Sequence, residues 1–101
     1  MKKIYLLNQQ LQKKKFRWFE KLAIKYPFIL KINLTKGRNC LFYYVRSSYS
    51  MDRLLSNFNV DIDHKDEDNK TALEIALIIK NYKSARILIK HGASFNETNS
   101  N

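Results

Sequence analysis

The densest group of chemically capable residues is Lys13-Lys14-Lys15-Phe16-Arg17-Trp18, four cations interleaved with two aromatic rings. Cations beside rings can hold phosphates and stack bases, and the same pattern suits a nuclear-import segment or an anionic membrane surface. It equally suits a solvated helical face whose rings belong to a core. A second group, Asp61, Asp63, Asp66, Glu67 and Asp68, suggests cation binding. A calcium loop needs Gly at its sixth position and Glu at its twelfth. Counted from Asp61 those positions are Asp66 and Ala72, so the pattern fails, and the acids read as a solvated turn near a helix N-terminus.

For catalysis there is little material. His64 and His91 are far apart in sequence, neither stands at a zinc-ligand spacing from Cys40, and there is no Gly-rich phosphate loop. Cys40 is the single cysteine, cannot close an intramolecular disulfide, and reads as a small hydrophobe rather than a nucleophile. Tyr43, Tyr44 and Tyr49 read as packing groups. The expectation is a protein that is not an enzyme and carries no metal or cofactor.

Whatever these residues do, a modest scaffold must position them. At 101 residues the chain suffices for one domain, and 45% hydrophobic with 28% charged residues is a globular composition. Two Gly and one Pro argue against a turn-rich sandwich or barrel and for helices joined by short polar loops. Met1 to Leu7 is too short for a signal sequence, and no apolar run approaches the ~18 residues of a membrane span. These features point to a reducing, intracellular setting, the cytoplasm, or a host cytoplasm or nucleus for a viral or secreted factor. Charge is uneven: residues 1–51 hold twelve Lys/Arg against one acid, and residues 52–101 hold seven against eight. The basic half and the near-neutral half are distinct surfaces.

The clearest elements lie toward the C-terminal end. Thr71 followed by Glu74 is a capping-box pair, and Leu73, Ala76 and Leu77 stand at helical spacing toward a core. Lys80-Asn81 interrupts the pattern. A second helix carries Ala85, Leu88 and Ile89 on one face and ends at Gly92, which closes a helix in the left-handed conformation without steric cost. The same unit can be laid over earlier residues: Gly37 to Leu41 falls 32 before Asn69 to Leu73, and Leu54-Leu55 falls 33 before Ile87-Leu88. That difference of one residue predicts a deletion in the turn between the helices. A period near 33 is a repeat signature.

Residues Asp66 to Asn96 resemble an ankyrin repeat. In that family an aspartate and a glycine frame a β-turn, Thr-Pro-Leu-His opens the inner helix and Gly-Ala-Asp-Val-Asn closes the outer one; Asp66, Thr71, Leu73, Ala76, Leu88, Gly92, Ala93 and Asn96 match. Ala72, Glu74 and Lys80-Asn81 depart from it. The earlier unit departs further, with Asn39, Phe42, Tyr44 and Asn59 at pattern positions. Tyr44, standing where the pattern wants a methyl group, is expected to push the helices apart or rotate outward. Upstream, Ile4, Leu7, Leu11, Trp18 and Leu22 make one apolar stripe, widened by Phe16, Phe19 and Ala23, so residues 3–26 read as one or two helices. Trp18 to Asn33 is a candidate eroded unit, its outer helix broken by Pro27. The resulting division is a basic helical cap or eroded repeat at 1–33, a degenerate repeat at 34–65, a clear repeat at 66–97 and a tail at 98–101, in an all-α ankyrin-type stack.

The resemblance implies a protein-binding surface on the turn tips and inner helices. By position these are Lys36, Arg38, Arg46 and Ser47 in the earlier unit and Glu67, Asp68, Lys70, Ile78 and Ile79 in the last. Ile78 and Ile79 make their helix apolar nearly all round, which predicts contact with a partner, with the adjoining unit or with the chain's own C-terminus. Stacks need roughly three units for stability, so a non-standard cap, a partner or self-association must complete this one. Few Gly and Pro with many Lys, Asn, Ile, Tyr and Phe look like the product of an AT-rich genome, such as a large DNA virus, intracellular bacterium or protist. The resemblance then implies a factor that engages host proteins. The alternative is a nucleic-acid-binding protein using Lys13, Lys14, Lys15 and Arg17, with an anionic membrane surface third.

Overall fold

The computed structural model describes residues 2–95, so Asn96 and the tail at 98–101 lie outside the described residues. All regular elements described are helical, arranged as three consecutive pairs in a body of 42 × 25 × 21 Å. The first pair is α1 (Lys2–Gln12) and α2 (Phe16–Lys25). Leu7 and Leu11 are buried one turn apart on α1, and α2 buries Phe16, Phe19, Glu20 and Ala23, one stripe at helical spacing. This differs from the stripe expected through Trp18, which is 38% exposed. Burying Phe16 and Phe19 together rotates α2 so that residue 20 rather than 18 faces inward, while Ile4 and Leu22 of the expected stripe pack against the core partly buried. Pro27 follows α2 rather than breaking it: it opens a short 3-10 turn, Pro27–Lys31, where a missing N–H costs nothing.

How α1 joins α2 shows what this first pair is. The Lys14 amide donates to the Leu11 carbonyl (3.0 Å) and the Lys15 amide to that of Gln10 (2.9 Å), with Lys14 left-handed at φ 62°. After the third pair's inner helix the Lys80 amide donates to Leu77 (3.2 Å) and the Asn81 amide to Ala76 (2.8 Å), with Lys80 at φ 64°. Lys14 and Lys80 are separated by twice 33 residues. The hairpin of α1 and α2 therefore has the repeat's own turn, in register, in place of a unit starting at Trp18. A non-glycine residue in this conformation is strained by ~1–2 kcal/mol, part of which glycine recovers. Lys80→Gly is expected to stabilise by about 1 kcal/mol, raising the melting temperature by ~4–8 °C in a thermal melt followed by circular dichroism.

The second pair is α3 (Leu41–Tyr44) and α4 (Asp52–Asn57); the third is α5 (Ala72–Ile78) and α6 (Tyr82–Lys90). The expected deletion in the second pair's turn is not what the chain does. The connection Val45–Met51 is longer than Ile79–Asn81, and the helices are shorter, with 4 and 6 residues against 7 and 9. Ser47 stabilises this longer turn, its hydroxyl donating to the Tyr44 carbonyl (2.8 Å) and accepting from the Tyr49 amide (3.2 Å). Asn81 bridges the two pairs through a side-chain amide that donates to the Val45 carbonyl (2.7 Å).

In the third pair the Thr71–Glu74 capping box is present in both directions, at 2.9 and 3.2 Å. Gly92 closes α6 at φ 97°. Two expected core positions differ. Leu77 is 37% exposed while Ile75 is buried, and Ile89 is 47% exposed while Ala85 and Leu88 are buried. Both side chains lie on faces of the third pair that no described element covers.

The core is central. All of α3 is buried, as expected of a helix apolar on every side and flanked by a pair on each side. Tyr44 neither rotates outward nor stays unaccommodated: it is fully buried, stacks on Phe16 at 4.2 Å, and its hydroxyl donates to Glu20 Oε2 at 2.7 Å. A ring in place of a methyl group is tolerated because α2 supplies an acceptor for the hydroxyl. Across the outer helices, His91 Nε2 lies 2.6 Å from Asp52 Oδ1, and Lys90 stands 3.5 Å from the same oxygen.

Candidate partner-binding surface

Two loop tips are built by the same hydrogen bonds. The Leu34 amide donates to the Arg38 carbonyl (2.7 Å), and the Asp66 amide to that of Lys70 (2.9 Å). The Glu67 amide donates to the Lys36 carbonyl (3.0 Å), joining one tip to the next. Gly37 is at φ 71°, and a Cβ there would stand 3.1 Å from Glu67 Cγ and 3.2 Å from its backbone nitrogen, so the junction needs glycine. Within the acidic group, Asp66 is buried, and its Oδ1 accepts from the Asp68 and Lys70 amides, both at 2.9 Å. Asp63 accepts from the Ser94 amide and hydroxyl at 2.8 and 2.9 Å. These carboxylates organise loops, as a structural turn rather than a cation site would require.

Of the residues expected to bind a partner, Lys36, Glu67, Asp68 and Lys70 are exposed at the tips. Ser47 is occupied by its own turn. Ile78, the last residue of α5, and Ile79, its C-cap, are 62% and 45% exposed, packed on neither the adjoining unit nor any other described residue sufficiently to cover them. Arg38 is half-buried and Arg46 exposed, and they converge with Lys14 in a cleft of about 190 Å³ lined also by Leu11, Gln12, Phe42 and Tyr43. Arg38 Nε is buried with no hydrogen-bond partner among the described residues. Partial burial and the neighbouring Arg38 pull the Arg46 guanidinium below its ordinary value, against a smaller opposing effect of Asp66. The Tyr43 hydroxyl donates to Asn8 Oδ1, tying α3 to α1 beside this cleft, and burial holds the phenol above its usual range.

The structure thus divides the basic run. Lys14 joins Arg38 and Arg46, whereas Arg17 lines a different cleft, of about 310 Å³, with Glu20, Lys21, Ile24, Arg53, Asn57 and Phe58. Lys13 and Lys15 are exposed and line neither. Tyr43 and Gln12 are cleft residues that sequence reasoning missed. The available signal was the register of Lys14 with Lys80, which places the end of α1 beside the end of α3.

Cys40 is buried, with burial pushing its thiol up to about 12. Because the folded value is raised, the group's contribution is complete below the ordinary thiol range near 8.5 and is lost as pH rises toward 12. The thiol is expected to stay unreactive toward an aromatic disulfide reagent at pH 8 until the protein is denatured. Stoichiometric reaction of native protein would contradict the buried placement.

Comparison with known proteins gives one finding. The family model described as "Ankyrin repeats (3 copies)" matches residues 6–99. No curated protein and no solved structure gives a significant match.

Proposed function

Since this chain belongs to the ankyrin repeat family, we propose that it captures a partner protein on the face shared by its loop tips and inner helices. Ankyrin repeats are protein-interaction modules, and the observation that carries the reading for this surface is the exposure of Ile78 and Ile79, 62% and 45%, consecutive residues at the C-terminal end of α5. Apolar pairs set among polar tips mark contact surfaces. Arg46 and Ile78 stand 32 residues apart, the offset that relates Leu34 and Arg38 of one tip to Asp66 and Lys70 of the next, so we place them in one row across the stack. Lys36, Arg38, Glu67, Asp68 and Lys70 extend that row at the tips. The three units of this proposal are residues 1–33, 34–65 and 66–97.

The role is binding, not catalysis, a reading supported by the burial of the one thiol and by the loop-building use of the acids. No described helix is long and apolar enough to cross a membrane. We further propose an intracellular compartment, and a viral or microbial factor that engages host proteins, which the family resemblance together with the Lys-, Asn- and Ile-rich composition supports. A pull-down comparing the native chain with Ile78→Glu/Ile79→Glu tests the surface. The variant is expected to fold normally, since both side chains are exposed, and to lose its partner at least tenfold. Undiminished capture by a folded variant overturns the reading.

A second reading has its own observation. The third pair leaves Leu77, Tyr82, Ile89 and Phe95 exposed in addition to the isoleucines, a broad apolar surface for a second copy to cover. Self-association through this end would appear as a concentration-dependent mass in sedimentation equilibrium. Nucleic-acid binding through Lys13, Lys14, Lys15 and Arg17 rests on the charge asymmetry and predicts affinity falling steeply with salt. Binding to an anionic membrane surface rests on the same residues.

A further inference from the structure

We propose that the cleft between the α1–α2 turn and α3, where Lys14, Arg38 and Arg46 converge, is an oxyanion site that takes an acidic side chain, aspartate or glutamate, from the captured protein. The proposal rests on the partner-binding reading above and names the chemistry of the partner.

Three cations from two separate stretches of chain meet in one small cleft, and among the described residues no carboxylate lines it. Like charges held together are unfavourable unless something pairs with them. The acid nearest in effect, Asp66, is committed elsewhere, its Oδ1 accepting two backbone amides of its own loop. Arg38 meanwhile has its Nε buried and unpartnered among the described residues. Arg38 lines the cleft as a half-buried guanidinium, and a carboxylate is the planar acceptor that matches its fork. Leu11 and Phe42 form an apolar part of the lining, which lowers the local polarity and strengthens a charge-assisted hydrogen bond.

The shape selects an amino-acid side chain over a nucleic acid strand. A phosphodiester backbone is held by a groove that follows it, with repeated cations and exposed rings. Here Lys14 and Arg17 line different clefts, Phe16 is buried, and the cleft of about 190 Å³ shares no lining residue with the one Arg17 lines. Arg46 lies in the same row as Ile78, so a segment crossing the inner helices meets cations at the second unit and an apolar step at the third. The matching partner is an acidic residue followed by a hydrophobic one.

The test uses a fluorescein-labelled decapeptide of alternating glutamate and leucine, and its glutamine counterpart, titrated into the full chain with fluorescence anisotropy. The glutamate peptide is expected to bind at least tenfold more tightly than the glutamine peptide. Arg38→Gln/Arg46→Gln is expected to remove that preference, whereas Lys83→Gln/Arg86→Gln, which deletes the same charge from exposed α6 positions, changes affinity less than twofold. Equal losses in the two double variants would mean diffuse attraction to a basic protein and overturn the proposal. So would a wild-type preference in the Arg38/Arg46 variant, or displacement of the peptide by single-stranded DNA at lower concentration than by free glutamate peptide. Arg46→Gln alone, at an exposed side chain, keeps the test valid if the double variant melts early, and is expected to cost at least threefold. Ile78→Glu/Ile79→Glu separates the two readings: loss there with none at Arg38/Arg46 keeps the surface and removes the oxyanion site, and the reverse keeps the site and removes the apolar surface.

Discussion

Tyr44→Ala is expected to abolish the native fold at physiological temperature. The ring is fully buried between α2 and the α3–α4 turn, with Phe16 at 4.2 Å and Tyr49 at 5.9 Å. Deleting a buried ring of this size costs ~3–5 kcal/mol, much of the ~5–15 kcal/mol that holds a small domain together. The variant also strands Glu20, which is 7% exposed and receives the Tyr44 hydroxyl. Tyr44→Phe isolates that second effect: with the ring kept and the donor removed, a cost of about 3 kcal/mol is expected. Adding Glu20→Leu to Tyr44→Phe should recover most of it, because a buried polar pair replaced as a pair leaves nothing unsatisfied. Urea titrations of the native chain, Tyr44→Phe, Glu20→Leu and the double variant give the comparison, and additive losses in the double variant would show that the two groups act independently. Alkaline pH supplies a further check. Burial, then the hydrogen bond to Glu20, raises the Tyr44 phenol far above its ordinary value. A raised folded value means the contribution is whole below the unfolded value near 10 and declines as pH climbs beyond it, a decline that Tyr44→Phe should lessen.

That pair also shows what local sequence can and cannot reveal. The third unit was legible because its signals are local backbone chemistry: Thr71 and Glu74 three residues apart, and Gly92 after the last apolar position. Each serves a hydrogen bond within its own turn. The first unit was hidden by a residue type. Its inter-helix turn places a left-handed conformation on Lys14, where glycine would have announced it, inside a run that reads as a charge cluster. The Glu20–Tyr44 contact spans 24 residues and carries no periodic signal. A glutamate at an inward position looks like a surface residue until the ring that pairs with it is in place. For the same reason Trp18 looked like the core residue of α2. The surface followed the same division. The tips and Ile78–Ile79 came from position in the repeat, whereas the convergence of Lys14 with Arg38 and Arg46 needed the first unit's register, which the charge run obscured.

Asp66→Ala should destabilise the protein by about 3 kcal/mol while Asp66→Asn costs less than about 1 kcal/mol. One oxygen of Asp66 accepts two backbone amides, and its own amide donates to Lys70, so a single side chain closes the loop that α5 grows from. Alanine leaves both amides without that acceptor; asparagine keeps the oxygen and loses only charge. The upper end of the charge-assisted range, ~1.5–3 kcal/mol per bond, does not apply twice, because Asp68 and Lys70 are exposed and water recovers part of the loss. Loosening this loop also releases the Glu67 amide from the Lys36 carbonyl, the bond that fixes the spacing between successive tips. A surface that must present Lys36, Arg38, Glu67 and Lys70 together then has to be ordered on binding, and ordering weakens affinity without removing any contact residue. Asp66→Ala is therefore expected to reduce partner capture as well as stability, with faster amide exchange at Glu67, Asp68 and Lys70. Asp66→Asn separates geometry from charge. If alanine and asparagine lower stability equally, the carboxylate's charge acting on Arg46, and not the loop it closes, is what the surface requires.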